Sequence, residues 1–190
     1  MALWRIRATV DDRPGYLSVL TASLALRSVN ILSVQVHTTE AGAVDDFLVD
    51  APVTMSAADL LEAVRRGRGR DPWVALADVR GLVDEPTRVL ALAARVVAGR
   101  DTLEEALGLL LGDCEIAWRA DGGSRRDGYT ATAMQLHDPA GGMLFIHRTE
   151  PAFTPAEYAR AHALVGLAAG PSREPTCRLP TCWTGTHQAP

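Results

Sequence analysis

Trp4, Ile6, Ala8 and Val10 are apolar where Arg5, Arg7 and Thr9 are polar, an alternation that predicts a half-covered strand with one buried face. Asp11, Asp12, Arg13, Pro14 and Gly15 interrupt it, because proline fixes φ and glycine admits left-handed backbone. From Tyr16 the apolar spacing becomes helical, with Leu17, Leu20 and Leu24 on one stripe and Val19 beside it, which predicts a helix ending near Ser28. Leu32, Val34 and Val36 alternate with Ser33, Gln35 and His37, and a turn through Glu40 to Gly42 leads into a third strand from Val44 to Asp50. Ser56 and Asp59 have capping-box spacing ahead of Leu60, Leu61 and Val64, so a second helix starts there. After a Gly/Arg loop, Trp73 to Val79 predicts a fourth strand.

Past Leu82 the pattern changes. Asp84, Glu85 and Pro86 open a helix to about Ala98 with Gly99 as its stop. Thr102 and Glu105 cap a further helix, ended by Gly112, in which Leu103, Ala106, Leu107 and Leu110 share a face. Three strands are expected, over Cys114 to Arg119, Tyr129 to Leu136 and Met143 to Arg148, the last two joined by a turn through His137 to Gly142. Phe153, Thr154, Pro155, Glu157 and Tyr158 read as staple, cap, first-turn proline, box partner and staple partner of a last helix, which stops at Gly170-Pro171. The expected division is residues 2–80, residues 84–170 and a flexible Pro/Thr/Gly-rich tail over 171–190.

The segment DDRPGYLSVLTASLALRSVNILSVQVHT, Asp11 to Thr38, resembles the start of an ACT domain: an Arg-Pro-Gly turn, an amphipathic helix, then Val-Asn-Ile entering the second strand. The resemblance implies an α+β chain that begins with a ferredoxin-like βαββαβ domain, four antiparallel strands backed by two helices. It also implies a regulatory, non-catalytic role, a homodimer, and a small effector such as an amino acid held between the first strand, the following helix and a neighbouring domain, often across a dimer interface. On this chain the candidate ligand residues are Asp11, Asp12, Arg13, Pro14, Gly15, Asn30 and Ile31. A helix N-terminus offers unpaired N–H donors to a carboxylate, and Asp12 or the Asn30 side-chain carbonyl would accept from an ammonium. Asp12 stands where serine-binding members usually carry asparagine.

Structural roles for the same residues stay open: Asp12 as a helix cap, Pro14-Gly15 as a turn, Asn30 as a local hydrogen-bond partner. So does a ligand-free dimerisation module that regulates a partner enzyme or transcription factor. Met143 to Leu167 is similar to the end of a GAF domain, which makes the second half a small GAF-like α/β domain suited to dimerisation or packing.

Composition narrows the rest. With 47% hydrophobic and 22% charged residues in 190, the chain can bury a core. A net charge of −4 and a pI near 5.7 argue against direct nucleic-acid binding, and the cluster Arg65, Arg66, Arg68, Arg70 has no interleaved aromatic residue, so it reads as a solvated helix end. All 19 basic side chains are arginine, which removes Schiff-base and phosphate-loop lysine chemistry. Neither a leader-like start nor a long apolar run is present, so a soluble cytoplasmic protein without membrane contact is expected. Three cysteines do not form a secreted framework, and Cys114 reads as core. No dinucleotide glycine fingerprint or nucleophile elbow occurs, so neither cofactor nor catalysis is expected. His137, Asp138 and His147 could meet at a metal only in a favourable register, a polar turn being the alternative. Cys177, Cys182 and His187 sit in the tail without a fourth ligand.

Overall fold

The computed structural model describes residues 1–77, 85–120 and 126–169. The N-terminal half runs β1 (Ala2–Val10), α1 (Tyr16–Ala25), β2 (Asn30–Thr39), β3 (Gly42–Ala51), α2 (Ala57–Arg66) and β4 (Arg70–Leu76), with antiparallel strands in the order β2-β3-β1-β4. This is the βαββαβ order expected from the periodicity. Because α1 connects β1 to β2 across β3, it lies over β3 and runs parallel to it. Ile6, Ala8, Val10, Phe47, Val49, Leu20, Leu24, Leu60 and Val64 fill the layer between sheet and helices.

The first helix is shorter than expected: it ends at Ala25, and Ser28 takes a left-handed φ of 58° before β2. The fourth strand starts three residues early, at Arg70, and ends at Leu76. The expected boundary near Leu82 and the tail over 171–190 lie outside the described residues.

The C-terminal half comprises α3 (Glu85–Val97), α4 (Leu103–Leu111), β5 (Glu115–Arg119), β6 (Gly128–Tyr129), β7 (Ala133–His137), β8 (Met143–His147) and α5 (Pro155–Ala168), its sheet ordered β5-β8-β7-β6. The run expected as one strand from Tyr129 to Leu136 is two. Thr130 donates its N–H to the Ala133 carbonyl at 2.8 Å and accepts the Ala133 N–H on its hydroxyl at 3.1 Å, a local turn that competes with extension. The capping boxes expected at Thr102/Glu105 and Thr154/Glu157 are both formed.

The two halves meet over the sheet face opposite α1 and α2. Arg5 and Arg7 project there from β1 and Asp46 from β3, and alternation alone marks them as solvated. Instead Arg7 is only 4% exposed. Its guanidinium donates to Asp46 (3.0 Å from Nε) and to both Glu157 oxygens of α5 (3.1 and 3.2 Å), and to the Ala152 carbonyl at 2.8 Å. Arg148 donates to the same Glu157 at 3.0 Å and to the Leu111 carbonyl at 2.7 Å, while Arg5 grips Asp46 with two bonds of 2.9 and 2.8 Å. Further along this face Gln35 bridges Glu85 of α3 and Arg160 of α5, each at 3.1 Å. His37, expected at a solvent or interface position, is half-buried beside this network, and burial foremost depresses its pKa.

Glu157 also closes the capping box of α5, accepting the Thr154 N–H at 2.8 Å. One carboxylate thus starts a helix and neutralises two buried arginines. Burial alone would raise the Asp46 and Glu157 carboxyls, but the guanidiniums of Arg5, Arg7 and Arg148 outweigh it and hold both below their ordinary values. A depressed folded pKa contributes stability that is complete above the unfolded value, near 4, and is lost as pH falls through the lower folded value. Glu157→Ala leaves two guanidiniums buried against one remaining carboxylate and is expected to cost about 3–5 kcal/mol in urea unfolding at pH 7. The deficit should shrink below about pH 4, where the wild type loses the same charge.

Candidate ligand site at the start of the first helix

At the end of β1 the chain bends through Asp11 to Gly15. Asp11 is committed to Arg70 at 3.0 Å, and the Arg13 N–H returns to the Asp11 carbonyl at 2.8 Å. Asp12, Arg13, Pro14 and Gly15 are exposed. Gly15 takes φ 94°, which a side chain would strain, and a Cβ there would meet nothing within 4 Å. The helix it opens has no side-chain cap and no acidic residue in its first turn. Asp12 therefore does not cap α1, which removes one structural role open for it. By contrast α2, α4 and α5 each start with a complete capping box. At the opening of α1 the Tyr16 N–H donates to the Arg13 carbonyl at 3.3 Å, and no side chain caps the turn that follows.

The other two candidate residues lie elsewhere. Asn30 pairs with Asp50, which pairs with Leu3, whereas Val10 pairs with Ala43, so Asn30 and the bend stand at opposite ends of the sheet. Seven strand residues separate the two rungs, about 24 Å. Asn30 is exposed and Ile31 packs against the core. Within one chain, then, Asn30 and Ile31 do not share a site with Asp11 to Gly15. Sequence proximity to the helix suggested otherwise; the register of β2 on β3 decides it.

Asp45 was missed by the sequence reading. It belongs to the row Ala43, Asp45, Phe47, Val49, Ala51 on β3, all fully or nearly buried, and is itself 0% exposed. Both its carboxylate oxygens lack a hydrogen-bond partner among the described residues. Burial pushes its pKa up from 3.8 to about 6. The signal was available: Asp45 is in phase with the apolar face of its strand.

The discounted constellations resolve simply. His137 pairs with Asp127, not with Asp138, and His147 stands at the far end of its strand, opposite Ala133. Among the described residues no group of three His, Cys, Asp or Glu could hold a metal ion. Cys114 is half-buried against the core, and burial pushes its thiol pKa up, which disfavours the thiolate. Cys177, Cys182 and His187 lie outside the described residues.

No family model matches the chain, and no curated protein does. Among solved structures it is similar to the regulatory subunit of aspartate kinase from Thermus thermophilus in its ligand-free form (14% identity, 88% of this chain and 92% of that one, TM-score 0.36). It is similar also to an unknown protein from Galdieria sulphuraria (13% identity, 88% and 91%, TM-score 0.38). A formyltetrahydrofolate deformylase from Pseudomonas putida KT2440 matches over 52% of this chain and 39% of its own length (13% identity, TM-score 0.33). Scores at this level do not define a shared fold, and the reading of the N-terminal half rests on its own topology and on the segment from Asp11 to Thr38.

A carboxyl whose folded pKa is raised destabilises the fold above that pKa, and the cost fades as pH falls towards the unfolded value. Asp45→Asn is therefore expected to stabilise the protein by about 2–3 kcal/mol at pH 8 and by nothing measurable below pH 4, as read by urea unfolding across that range. Equal stability of the two proteins at pH 8 would mean that Asp45 is ionised at no cost.

Proposed function

We propose that this chain is a non-catalytic regulatory protein whose N-terminal βαββαβ unit is an ACT-type sensor, binding an amino acid or similar small zwitterion at the start of α1 in a homodimer. The observation that carries the reading is the bare opening of α1 at Gly15, when three other helices of the chain are closed by their own side chains. An effector carboxylate supplies the missing acceptor there. Residues 2–80 form the sensing domain on this reading. Residues 84–170 form a second domain for packing and assembly, its GAF-type resemblance confined to the last strand and helix.

Assembly follows from the edges. The sheet face opposite the helices is occupied by the chain's own α5 and by Glu85, which favours side-by-side over face-to-face pairing. Of the two edge strands, β4 carries Arg70, Asp71 and Pro72, residues that deter pairing, and Asp71 has φ 48°. The β2 edge carries no charge and no proline over Asn30–Thr39, and it exposes Leu32, Val34 and Val36. A two-fold axis at the middle of β2 would pair it antiparallel with its copy. Asn30 of the partner subunit would then stand at the Thr39 end, near the bend of the first chain. Residues that lie apart within one chain would so flank one site in the dimer.

The same edge supports a second reading, a ligand-free dimerisation module that regulates a partner enzyme or transcription factor. A thermal-shift series with the twenty amino acids separates the two, since ligand at a hundredfold over its dissociation constant contributes about 2.7 kcal/mol. Stabilisation by one or a few is expected; a flat response at millimolar concentration favours assembly alone. Val34→Lys places like charges near the two-fold and is expected to shift the protein to monomer in sedimentation velocity, and an unchanged dimer would rule out the β2 edge.

A further inference from the structure

The two halves of the chain keep separate hydrophobic cores, with no residue in common. Among the described residues, the side chains of the N-terminal half that hydrogen-bond the C-terminal half are Arg7 and Gln35. Both stand on one rung of the sheet, each in register with Asp46 of β3, Arg7 from β1 and Gln35 from β2. They meet α5 one turn apart, Arg7 at Glu157 and Gln35 at Arg160.

The two strands differ in freedom. β1 is paired on both sides, by β3 and β4, so Arg7 is fixed within the sheet. β2 is paired by β3 alone, and its other side is the edge assigned above to a second copy. A strand added there completes the hydrogen bonding of β2 and resets its twist against β3. Gln35 moves with β2, and Arg7 stays where it is.

The receiving end is built to register that movement. Glu85, at the start of α3, and Arg160 of α5 pair with each other through Oε1 and Nη1. Each keeps one polar atom for the amide: Gln35 Nε2 donates to Glu85 Oε2 at 3.1 Å, and Gln35 Oε1 accepts from Arg160 Nη2 at 3.1 Å. A single uncharged side chain is thereby held by a carboxylate and a guanidinium at once. Because the ion pair closes on itself without Gln35, the amide contributes position more than cohesion.

We propose that Gln35 is a relay: pairing of β2 with a second copy shifts it and, through Glu85 and Arg160, turns α3 and α5 about the Arg7–Glu157 contact. This rests on the β2-edge dimer proposed above and gives the route by which assembly reaches the C-terminal half. Gln35 is a positioning residue and touches no ligand.

The test follows amide hydrogen exchange by mass spectrometry on the full chain, above and below the dissociation constant of the dimer measured by sedimentation. Compared are the wild type, Gln35→Leu, which removes both amide bonds at similar volume, and Arg160→Gln, which removes the guanidinium on the other side. In the wild type, dimer formation is expected to slow exchange in β2 and to change it in the first turns of α3 and α5. In both variants, still dimeric, the slowing in β2 should persist and the response of α3 and α5 should be lost. A merely cohesive role would raise exchange in α3 and α5 of monomer and dimer alike while keeping the difference between them. That result overturns the relay, as does a wild type in which β2 responds to dimer formation and the helices do not. A variant that stays monomeric also overturns it, because the side chain would then serve assembly itself. A wild type that never dimerises, or that dimerises without protecting β2, removes the edge reading and the relay together.

Discussion

The contact between Arg7 and Glu157 decides how this chain is put together. Arg7 belongs to the central strand β1 and Glu157 to the first turn of the last helix, 150 residues on. Their charges are buried, so neither can be left without the other except at a cost of several kcal/mol. Asp46 and Arg148 complete the set, so that two carboxylates answer the guanidiniums of Arg7 and Arg148, with Arg5 joined at the margin. A sheet face that would otherwise be wet becomes an interface inside the chain.

That closure has consequences for function. With one face of the sheet held by α5 and the other by α1 and α2, the edges are what remain for a second copy, and the β2 edge is the one without charge or proline. On the proposed reading, an effector held at the opening of α1 would act on assembly through that edge.

Much of this was legible in the sequence. The alternation of Trp4 to Val10, the helical stripe of Leu17, Leu20 and Leu24, and the boxes at Ser56, Thr102 and Thr154 are local signals, and local rules recover them. What was not legible depends on partners distant in the chain. Arg7 alternates like a solvated residue, and it is buried with Asp46, the Ala152 carbonyl and Glu157 as its partners. Asn30 follows α1 closely in sequence, yet strand register sets it a sheet length from Gly15. Tyr129 to Leu136 is apolar enough for one strand, but the Thr130 hydroxyl turns the backbone. Asp45 could have been noticed, since a carboxylate in phase with Ala43, Phe47 and Val49 contradicts its own pattern.

Differential scanning calorimetry tests most directly whether the Arg7–Glu157 contact makes the two halves one unit. The account predicts a single transition near neutral pH whose calorimetric and van't Hoff enthalpies agree. Two resolved transitions, or a calorimetric enthalpy well above the van't Hoff value, would show that the halves unfold independently and that the buried charges do not bind them together.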